Sequence, residues 1–305
     1  MNSPTQPGTI GIVGLGNMGK GVARRLLDGD YPVIVFSRTS AKAQRMVQYG
    51  ALASPSLRDL AGRVDFLISF LPDEAAVRDV YYGPAGVLAN AAAGLHIIEM
   101  STVLPETARE LYRAGATRGI PVLDAPVSGS TPAVEQGALT VLAGGDADAF
   151  AACIPIFSQI ARKWFLLGPS GSGAAMKLVV NTLLGVGMQA IAEAVTLGEN
   201  LGLARERLID VLGQTSVVAP AHAGKLAQAL HQDYYPQFPL RLMIKDFGLI
   251  LNEAAKRGIP MPATSAARRV SLAEAADGGE EDFSAIIRYM ERLAQVPEPE
   301  FPTAA

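Results

Sequence analysis

Two polar residues interrupt a long apolar stretch in the second half of the chain. Lys177 and Asn181 lie within residues 174–203, whose first half holds almost no other charge. On a helix their side chains share one face, about a turn apart. Because an unpaired buried charge is costly, an ammonium in such surroundings needs a polar partner, although a lysine near a helix end can also snorkel to solvent. The pair is therefore a candidate site for proton transfer.

A glycine pattern near the N-terminus indicates a dinucleotide cofactor. Residues 9–13 are an apolar run that predicts a strand, and residues 21–27 predict a helix. Between a strand and a helix, Gly-x-Gly-x-x-Gly allows a tight turn, close approach of the backbone to a pyrophosphate and close helix packing. The phosphates would sit at the helix N-terminus. The predicted cofactor contacts here are Gly14, Leu15, Gly16, Asn17, Met18 and Gly19.

The residues after the second predicted strand bear on the choice of cofactor. NAD-binding chains usually have an acid there for the ribose 2′-hydroxyl, whereas this chain has Ser37, Arg38 and Thr39. A guanidinium flanked by hydroxyls can bind a 2′-phosphate through charge-assisted hydrogen bonds. The sequence therefore predicts NADP, with Arg38 as the main determinant. The alternative is that Arg38 is an ordinary solvated loop residue that stacks on the adenine.

Strands and helices continue to alternate to about residue 168, which predicts an α/β fold with a doubly wound sheet. Predicted strands end in small or polar residues, and ligands of such sheets bind at the carboxyl ends of the strands. Each serine or threonine alone is explained by turn formation, but together they predict one ligand-binding edge. The residues expected there are Leu71, Pro72, Ser101, Thr102, Ser128, Gly129 and Ser130.

After residue 168 the strand pattern stops and only helices are predicted. We expect a nucleotide-binding domain at 1–168, an all-α domain at 169–296 entered through a long helix, and a loose tail at 297–305. Lys245 and Asp246 interrupt another apolar stretch in this half. Taken alone, they could be a surface ion pair of little energetic value.

Composition excludes several classes of protein. A net charge of −3 over 305 residues gives no reason to expect nucleic acid or an anionic membrane as a partner. The one cysteine, Cys153, cannot form an internal disulfide and is expected to be packing, and the histidines show no metal-ligand spacing. The start of the chain lacks the features of a signal peptide, so a cytoplasmic protein is expected. Residues 178–197 are apolar, but Gln189 and Glu193 argue against a membrane span.

Four motifs in this order resemble the β-hydroxyacid dehydrogenase family, over about residues 8–295. They are the glycine motif at 14–19, Asp-Ala-Pro-Val-Ser-Gly at 124–129, Gly-Ala-Ala-Met-Lys-Leu-Val-Val-Asn at 173–181, and Lys245-Asp246. The resemblance implies a Rossmann domain followed by an all-α domain, with the active site in the cleft between them. It also implies a homodimer or homotetramer built through the helical domain.

The resemblance implies a role for each motif. Lys177 would be the general acid in reduction and the base in oxidation, and Asn181 would hydrogen-bond the reacting substrate. Ser128, Gly129 and Ser130 would bind a substrate carboxylate. Lys245 would close on substrate and cofactor, with Asp246 at the cofactor and Ser101-Thr102 near the nicotinamide. This agrees with the chemistry, since a lysine in apolar surroundings beside a cationic nicotinamide has its pKa lowered towards neutrality.

Two departures from the family pattern concern the substrate. Gly129 is followed by Ser130 and Thr131 where the family often has a second glycine, which resembles the NADPH-dependent glyoxylate/succinic semialdehyde reductase branch. Val180 stands where a first amide often precedes Asn181. The expected substrate is a short β-hydroxy acid or aldehyde acid. An imine reductase on the same fold is the alternative, although such relatives usually have another residue in place of Lys177. A non-catalytic NADP-binding scaffold protein is a third hypothesis, which the presence of Lys177 disfavours.

Overall fold

The computed structural model describes residues 8–276 and 279–295, and the predicted tail at 297–305 lies outside them. The chain forms two compact units, 1–180 and 181–305. This division falls inside a long helix, whereas the sequence analysis placed the domain boundary at residue 168, in the loop before that helix. The boundary at 168 stays a prediction.

The first unit contains a six-stranded sheet in which every pair of neighbouring strands is parallel. Its spatial order is β3-β2-β1-β4-β5-β6. The chain therefore builds outwards from β1 in one direction and then from β4 in the other, which is the order of a Rossmann sheet. The strands are β1 (Ile10–Val13), β2 (Val33–Phe36), β3 (Leu52–Ala53), β4 (Phe66–Ser69), β5 (His96–Glu99) and β6 (Val122–Asp124).

Both faces of this sheet are covered, as side-chain alternation along the strands requires. Ile12, Ile68 and Ile98 belong to one buried cluster, which includes side chains of α1 and α8. Their neighbours Val13, Leu67 and Ile97 belong to another, with side chains of α4 and α6. The helices of this unit are α1 (Asn17–Asp28), α2 (Ser40–Val47), α3 (Leu57–Ala61), α4 (Glu74–Tyr81), α5 (Val87–Asn90), α6 (Pro105–Ala116), α7 (Thr131–Glu135) and α8 (Ala147–Ile160).

A second, three-stranded sheet follows β6, whereas the alternating strands and helices of the sequence predicted one sheet. It consists of β7 (Val127–Ser128), β8 (Leu139–Ala143) and β9 (Ala161–Leu166). β7 pairs with β8 antiparallel and β8 pairs with β9 parallel. Strand propensity locates residues 140–143 in a strand but contains no information about the sheet that the strand joins.

The second unit is helical in its described residues, as predicted. The long helix α9 (Ser172–Asn200) begins in the first unit and continues into the second. There, a Cβ on Gly185 would lie 2.3 Å from the Phe247 ring, and one on Gly187 would lie 2.7 Å from the His222 ring. Only glycine permits these approaches. The other elements are α10 (Arg205–Gln214), α11 (Pro220–Leu230), α12 (Leu240–Lys256), α13 (Pro262–Ala275), a 3₁₀ helix (Phe283–Ala285) and α14 (Ile286–Ala294).

Among the described helices, α9 alone is long and apolar enough to cross a membrane by length and composition. In the fold, 44% of its most apolar window is buried. The core helix of a globular protein passes the same test, so length and apolarity do not make α9 a membrane span.

Candidate active site

The glycine turn between β1 and α1 has the geometry that a dinucleotide site requires. Gly14 adopts φ +90°, and a Cβ there would lie 2.0 Å from the Phe70 carbonyl oxygen. A Cβ on Gly19 would lie 2.0 Å from the carbonyl oxygen of Gly14, so helix and turn pack without a side chain between them. A Cβ on Gly16 would meet no atom within 4 Å. The backbone at Gly16 is thus open to a ligand, and a nicotinamide dinucleotide fits these residues.

Gly16 is also the N-cap residue of α1 and offers no side chain to the first turn. The N–H groups of a helix start and the helix dipole favour a phosphate at such a position. After β2, the Thr39 N–H donates to Ser37 Oγ at 3.2 Å, and the intervening Arg38 is exposed. The Ser37–Thr39 hydrogen bond therefore stabilises a turn in this loop, with Arg38 exposed at its centre.

The loops after β4 and β5 are joined by a buried hydrogen-bond network. The Leu71 N–H donates to Ser101 Oγ at 2.7 Å, and the Ser101 N–H donates to Glu99 Oε1 at 2.7 Å. Ser69 donates to Glu99 Oε2 at 2.5 Å, and its Oγ lies 2.5 Å from the Tyr81 hydroxyl. Two of the predicted cofactor residues, Leu71 and Ser101, are thus linked by a hydrogen bond.

Glu99 is the centre of this network, and sequence reasoning missed it. Its side chain is 2% exposed, and burial raises the pKa of its carboxyl while the hydrogen bonds from Ser101 and Ser69 oppose the rise. The only signal in the sequence was an acid at the end of an apolar strand. The residues that follow, Ser101 and Thr102, were predicted to lie at the ligand-binding edge, but nothing in the sequence links Glu99 to Ser69 or Tyr81.

The predicted carboxylate-binding loop begins at β7 and ends at the start of α7. Gly129 has φ +136°, and a Cβ there would lie 2.7 Å from a Leu139 methyl group, so the position requires glycine. Ser130 is the N-cap residue of α7 and makes no side-chain capping bond. Thr131 Oγ1 is buried and has no hydrogen-bond partner among the described residues. The loop therefore holds polar groups that its own fold does not use.

Lys177 and Asn181 lie one turn apart on α9, as predicted, and they differ in exposure. Lys177 is half-buried, whereas Asn181 is 1% exposed. Asn181 Nδ2 donates to Asp246 Oδ2 at 2.6 Å, and Asn181 Oδ1 is buried with no hydrogen-bond partner in the described part of the chain. The amide nitrogen is thus fixed, and the carbonyl oxygen is available as an acceptor.

Asp246 connects Asn181 with Lys245 within the second unit. Its carboxylate is buried at 1% exposed, and its Oδ1 lies 2.9 Å from Lys245 Nζ. Oδ1 accepts no hydrogen bond of ordinary geometry, so this contact is an ion pair in character. The structure brings together three residues that were predicted from two separate motifs. The buried Asp246 carboxylate holds the side chains of Asn181 and Lys245 in place. Its contact with the cofactor remains a prediction.

Two other features lie away from the predicted site residues. A cavity of about 400 Å³ opens at the amino-terminal edge of the first strands, lined by Thr9, Tyr31, Pro32, Val33, Ile34, Gly50, Leu52 and Arg63. That is the edge opposite to the predicted one. Cys153 is 1% exposed, and burial raises the pKa of its thiol to about 12, which fits a packing role. No group of three potential metal ligands occurs among the described residues.

Comparisons with known proteins match both parts of the chain to described families. Residues 9–168 match the family described as the NAD binding domain of 6-phosphogluconate dehydrogenase. Residues 171–290 match the family described as NAD-binding of NADP-dependent 3-hydroxyisobutyrate dehydrogenase.

Two relatives and one solved structure match over nearly their whole lengths. The 2-(hydroxymethyl)glutarate dehydrogenase of Eubacterium barkeri is 35% identical, over 94% of this chain and 96% of that protein. The glyoxylate/succinic semialdehyde reductase 1 of Arabidopsis thaliana is 34% identical, over 91% and 96%. The crystal structure of 3-hydroxyisobutyrate dehydrogenase from Salmonella typhimurium superposes with a TM-score of 0.85 at 30% identity, covering 92% of this chain and 99% of that one.

The fold and the glycine turn define a nicotinamide-dependent oxidoreductase with a Rossmann domain. The chain belongs to the β-hydroxyacid dehydrogenase family. The family resemblance and the fold class predicted from the sequence are both confirmed.

Proposed function

We propose that the protein is an NADP(H)-dependent reductase of short aldehyde acids, which in the reverse direction oxidises the corresponding β-hydroxy acids. The observation that supports this most is the buried Asn181, one turn from Lys177 on α9 and bonded to the carboxylate beside Lys245. A buried polar group one helical turn from a lysine suits a site where a carbonyl oxygen gains a proton. The named relatives from Eubacterium and Arabidopsis act on chemically related acids.

The chain's residues have distinct tasks in this reaction. When bound, the nicotinamide supplies or accepts the hydride. Lys177 Nζ gives a proton to the developing alkoxide oxygen in reduction and takes it back in oxidation. Positioned proton transfer of this kind typically contributes about 10²–10⁴-fold to a rate. Asn181 Oδ1 can accept a hydrogen bond from the hydroxyl of the β-hydroxy acid, and Lys245 attracts the substrate carboxylate electrostatically.

The substrate carboxylate is assigned to Ser128, Gly129 and Ser130. Gly129 has φ +136° and Ser130 makes no side-chain capping bond at the start of α7, so we assign the backbone N–H groups of this loop to the carboxylate. The buried Thr131 hydroxyl supplies a further polar group in the same loop. A chain with a serine and a threonine here suits a small polar acid.

NADP rather than NAD is proposed because Ser37, Arg38 and Thr39 replace the usual acid after β2. The exposed Arg38 would pair with the 2′-phosphate, and charge-assisted hydrogen bonds of this kind are worth about 1.5–3 kcal/mol. Arg38→Asp should therefore reverse the preference of kcat/KM for NADPH over NADH. Arg45→Asp, at an exposed site on α2, is the matched charge change and should leave the preference intact. An unchanged preference in Arg38→Asp would refute the assignment.

The central test is a screen of NADPH oxidation with glyoxylate, succinic semialdehyde, tartronate semialdehyde, methylmalonate semialdehyde and a cyclic imine. We expect turnover of at least one aldehyde acid and a much lower rate with the imine. A rate with the imine that exceeds every aldehyde acid would make the protein an imine reductase. Tight NADPH binding without turnover of any of them would favour a non-catalytic scaffold protein.

Lys177→Ala should nearly abolish turnover while NADPH still binds. Lys163→Ala, at an exposed lysine of β9, is the control and should keep full activity. Full activity in Lys177→Ala would exclude the proposed acid/base role, whatever the substrate.

A homodimer or homotetramer in the cytoplasm is proposed as the working form. Leu183, Leu197 and Leu201 are 73%, 61% and 72% exposed along and just beyond α9, and apolar surface of this kind suits a subunit interface. Light scattering should show an oligomer that Leu183→Asp weakens. Leu52→Asp, on the exposed β3 of the first unit, should not change the mass.

A further inference from the structure

The carboxylate of Asp124 is bound to the start of α9 from a distant strand. Asp124 ends β6 and is 2% exposed. Its Oδ1 accepts from the Gly171 N–H at 2.8 Å, and its Oδ2 accepts from the Ala174 N–H at 2.9 Å. Both donors belong to the first turn of α9 or directly precede it, and such N–H groups have no partner inside their own helix. Asp124 therefore caps the helix on which Lys177 lies.

The backbone around Asp124 leaves this junction little freedom. The Asp124 N–H donates to the Gly144 carbonyl at 3.1 Å, and the Gly144 N–H donates back at 2.8 Å. A Cβ on Gly173 would lie 2.3 Å from the Leu142 carbonyl oxygen and 2.4 Å from that of Asp124. The first turn of α9 thus rests directly on strand backbone, and the two carboxylate bonds determine where the helix begins.

Other helices of the same unit are capped differently. Asp73 accepts from the Ala76 N–H and caps α4, and Ser56 accepts from the Asp59 N–H and caps α3. In both, the cap lies three residues before its donor, so it stabilises the helix without fixing the helix to another element. Asp124 is separated from its donors by 47 and 50 residues. Such a bond fixes the position of the helix relative to β6.

We propose that Asp124 is a positioning residue for the catalytic lysine. Lys177 lies three residues beyond Ala174 on α9, and Ser128 lies four residues beyond Asp124. One carboxylate therefore links the helix that presents the proton donor to the loop that binds the substrate carboxylate. An asparagine could not replace it, because two N–H donors need two acceptor oxygens and an amide supplies one. The inference rests on the proposed role of Lys177.

Asp124→Asn is the test, with Ser56→Ala as a control that removes a helix cap elsewhere in the unit. In cofactor-free protein, hydrogen exchange of amides 171–177 should accelerate in Asp124→Asn and not in Ser56→Ala. In the NADPH-bound enzyme, kcat should fall by about 10- to 100-fold, because a displacement of about 1 Å can cost that much. The Kd of NADPH should not change, since the glycine turn is untouched.

The primary isotope effect with NADPH deuterated at the transferred position separates positioning from simple loss of folded protein. A mispositioned proton donor slows the chemical step, so the isotope effect on kcat should rise in Asp124→Asn. A lower fraction of folded enzyme would reduce the rate and leave the isotope effect unchanged, and that result would overturn the proposal.

Should Asp124→Asn be insoluble, Asp124→Ser keeps one acceptor oxygen in a smaller side chain and supports the same measurements. Faster exchange at 171–177 with unchanged kcat and isotope effect would leave Asp124 as a cap only. A wild-type enzyme that reduces none of the acids would refute the proposed function. An active wild type with an equally active Asp124→Asn would refute the positioning role alone.

Discussion

The two units of the molecule differ in the groups that surround their buried carboxylates. Among the described residues, five with carboxylate side chains are 2% exposed or less: Glu99, Asp124, Asp246, Glu274 and Asp282. Glu99 and Asp124, in the first unit, are held by backbone N–H and serine O–H donors. The three in the second unit lie against Lys245, Lys225, Arg288 and Arg292.

The difference shows what each carboxylate organises. In the first unit, burial raises the pKa of Glu99 and of Asp124, and hydrogen bonds from serine hydroxyls and backbone N–H groups offset part of the effect. These two groups fix backbone: the loops at Leu71 and Ser101, and the start of α9. In the second unit each of these carboxylates lies beside at least one cationic side chain, and Asp282 binds backbone N–H groups as well.

Removal of Asp282 should give the largest loss of stability that this comparison predicts. Its oxygens lie 2.7 Å from Lys225 Nζ and also accept from the N–H groups of Gln237, Phe238 and Ser284. Asp282→Ala leaves a buried ammonium without its counter-ion, so the free energy of unfolding should fall by about 3–5 kcal/mol. Urea denaturation measures this. Asp210→Ala, at an exposed carboxylate of α10, should change it by less than about 0.5 kcal/mol.

Removal of Lys225, the partner of Asp282, should reduce the free energy of unfolding by less. In Lys225→Met the Asp282 carboxylate keeps its backbone and serine donors, and a methionine retains contact with the Phe283 ring, which lies 4.7 Å from Lys225 Nζ. The expected loss is about 1.5–3 kcal/mol, the value of hydrogen bonds to a charged group. Lys256→Met, at a surface ion pair, is the control and should cost about 0–1 kcal/mol. A loss equal to that in Asp282→Ala would mean that the N–H donors contribute nothing.

Asp246→Asn tests whether a carboxylate of the helical unit serves the reaction. The variant keeps an acceptor for Asn181 but loses its charge beside Lys245. With charge-assisted bonds worth about 1.5–3 kcal/mol, kcat/KM for the aldehyde acid should fall by about 10-fold or more. The Kd of NADPH should stay constant. Asp210→Asn provides the exposed control, and a weakened NADPH Kd with an unchanged substrate KM would instead support the predicted contact of Asp246 with the cofactor.

The smallest effect expected is a pH dependence from Glu99. Since burial raises its pKa, native protein holds this proton to a higher pH than the unfolded chain does. Its contribution to stability is complete below the unfolded pKa of about 4.3 and is lost as the pH rises through the folded value. Glu99→Gln cannot titrate at this position. The free energy of unfolding of the variant should therefore rise relative to that of the wild type as the pH increases from about 4.3 through the folded pKa. Glu135→Gln, exposed on α7, is the control, and a stability difference for Glu99→Gln that is constant with pH would contradict the account.

Much of the fold could be predicted because its signals are local. The strand–glycine–helix order around Gly14 and the apolar run of α9 are short-range patterns, and both lie where expected. The two-residue β3 and the separate sheet formed by β7, β8 and β9 could not be predicted, because sheet membership depends on contacts far apart in sequence. Similarly, Lys177 and Asn181 could be chosen from their helical spacing, whereas the roles of Glu99 and Asp124 depend on partners in other elements.

The burial of Cys153 has a practical consequence for these experiments. The chain contains one cysteine, and a thiol that is 1% exposed with a pKa of about 12 offers almost no thiolate to an alkylating reagent at neutral pH. The folded wild-type protein is therefore a ready background for site-specific labelling. A cysteine introduced at exposed Leu183, for example, would be the single reactive thiol, and a fluorophore attached there would report on subunit association without prior removal of the native residue.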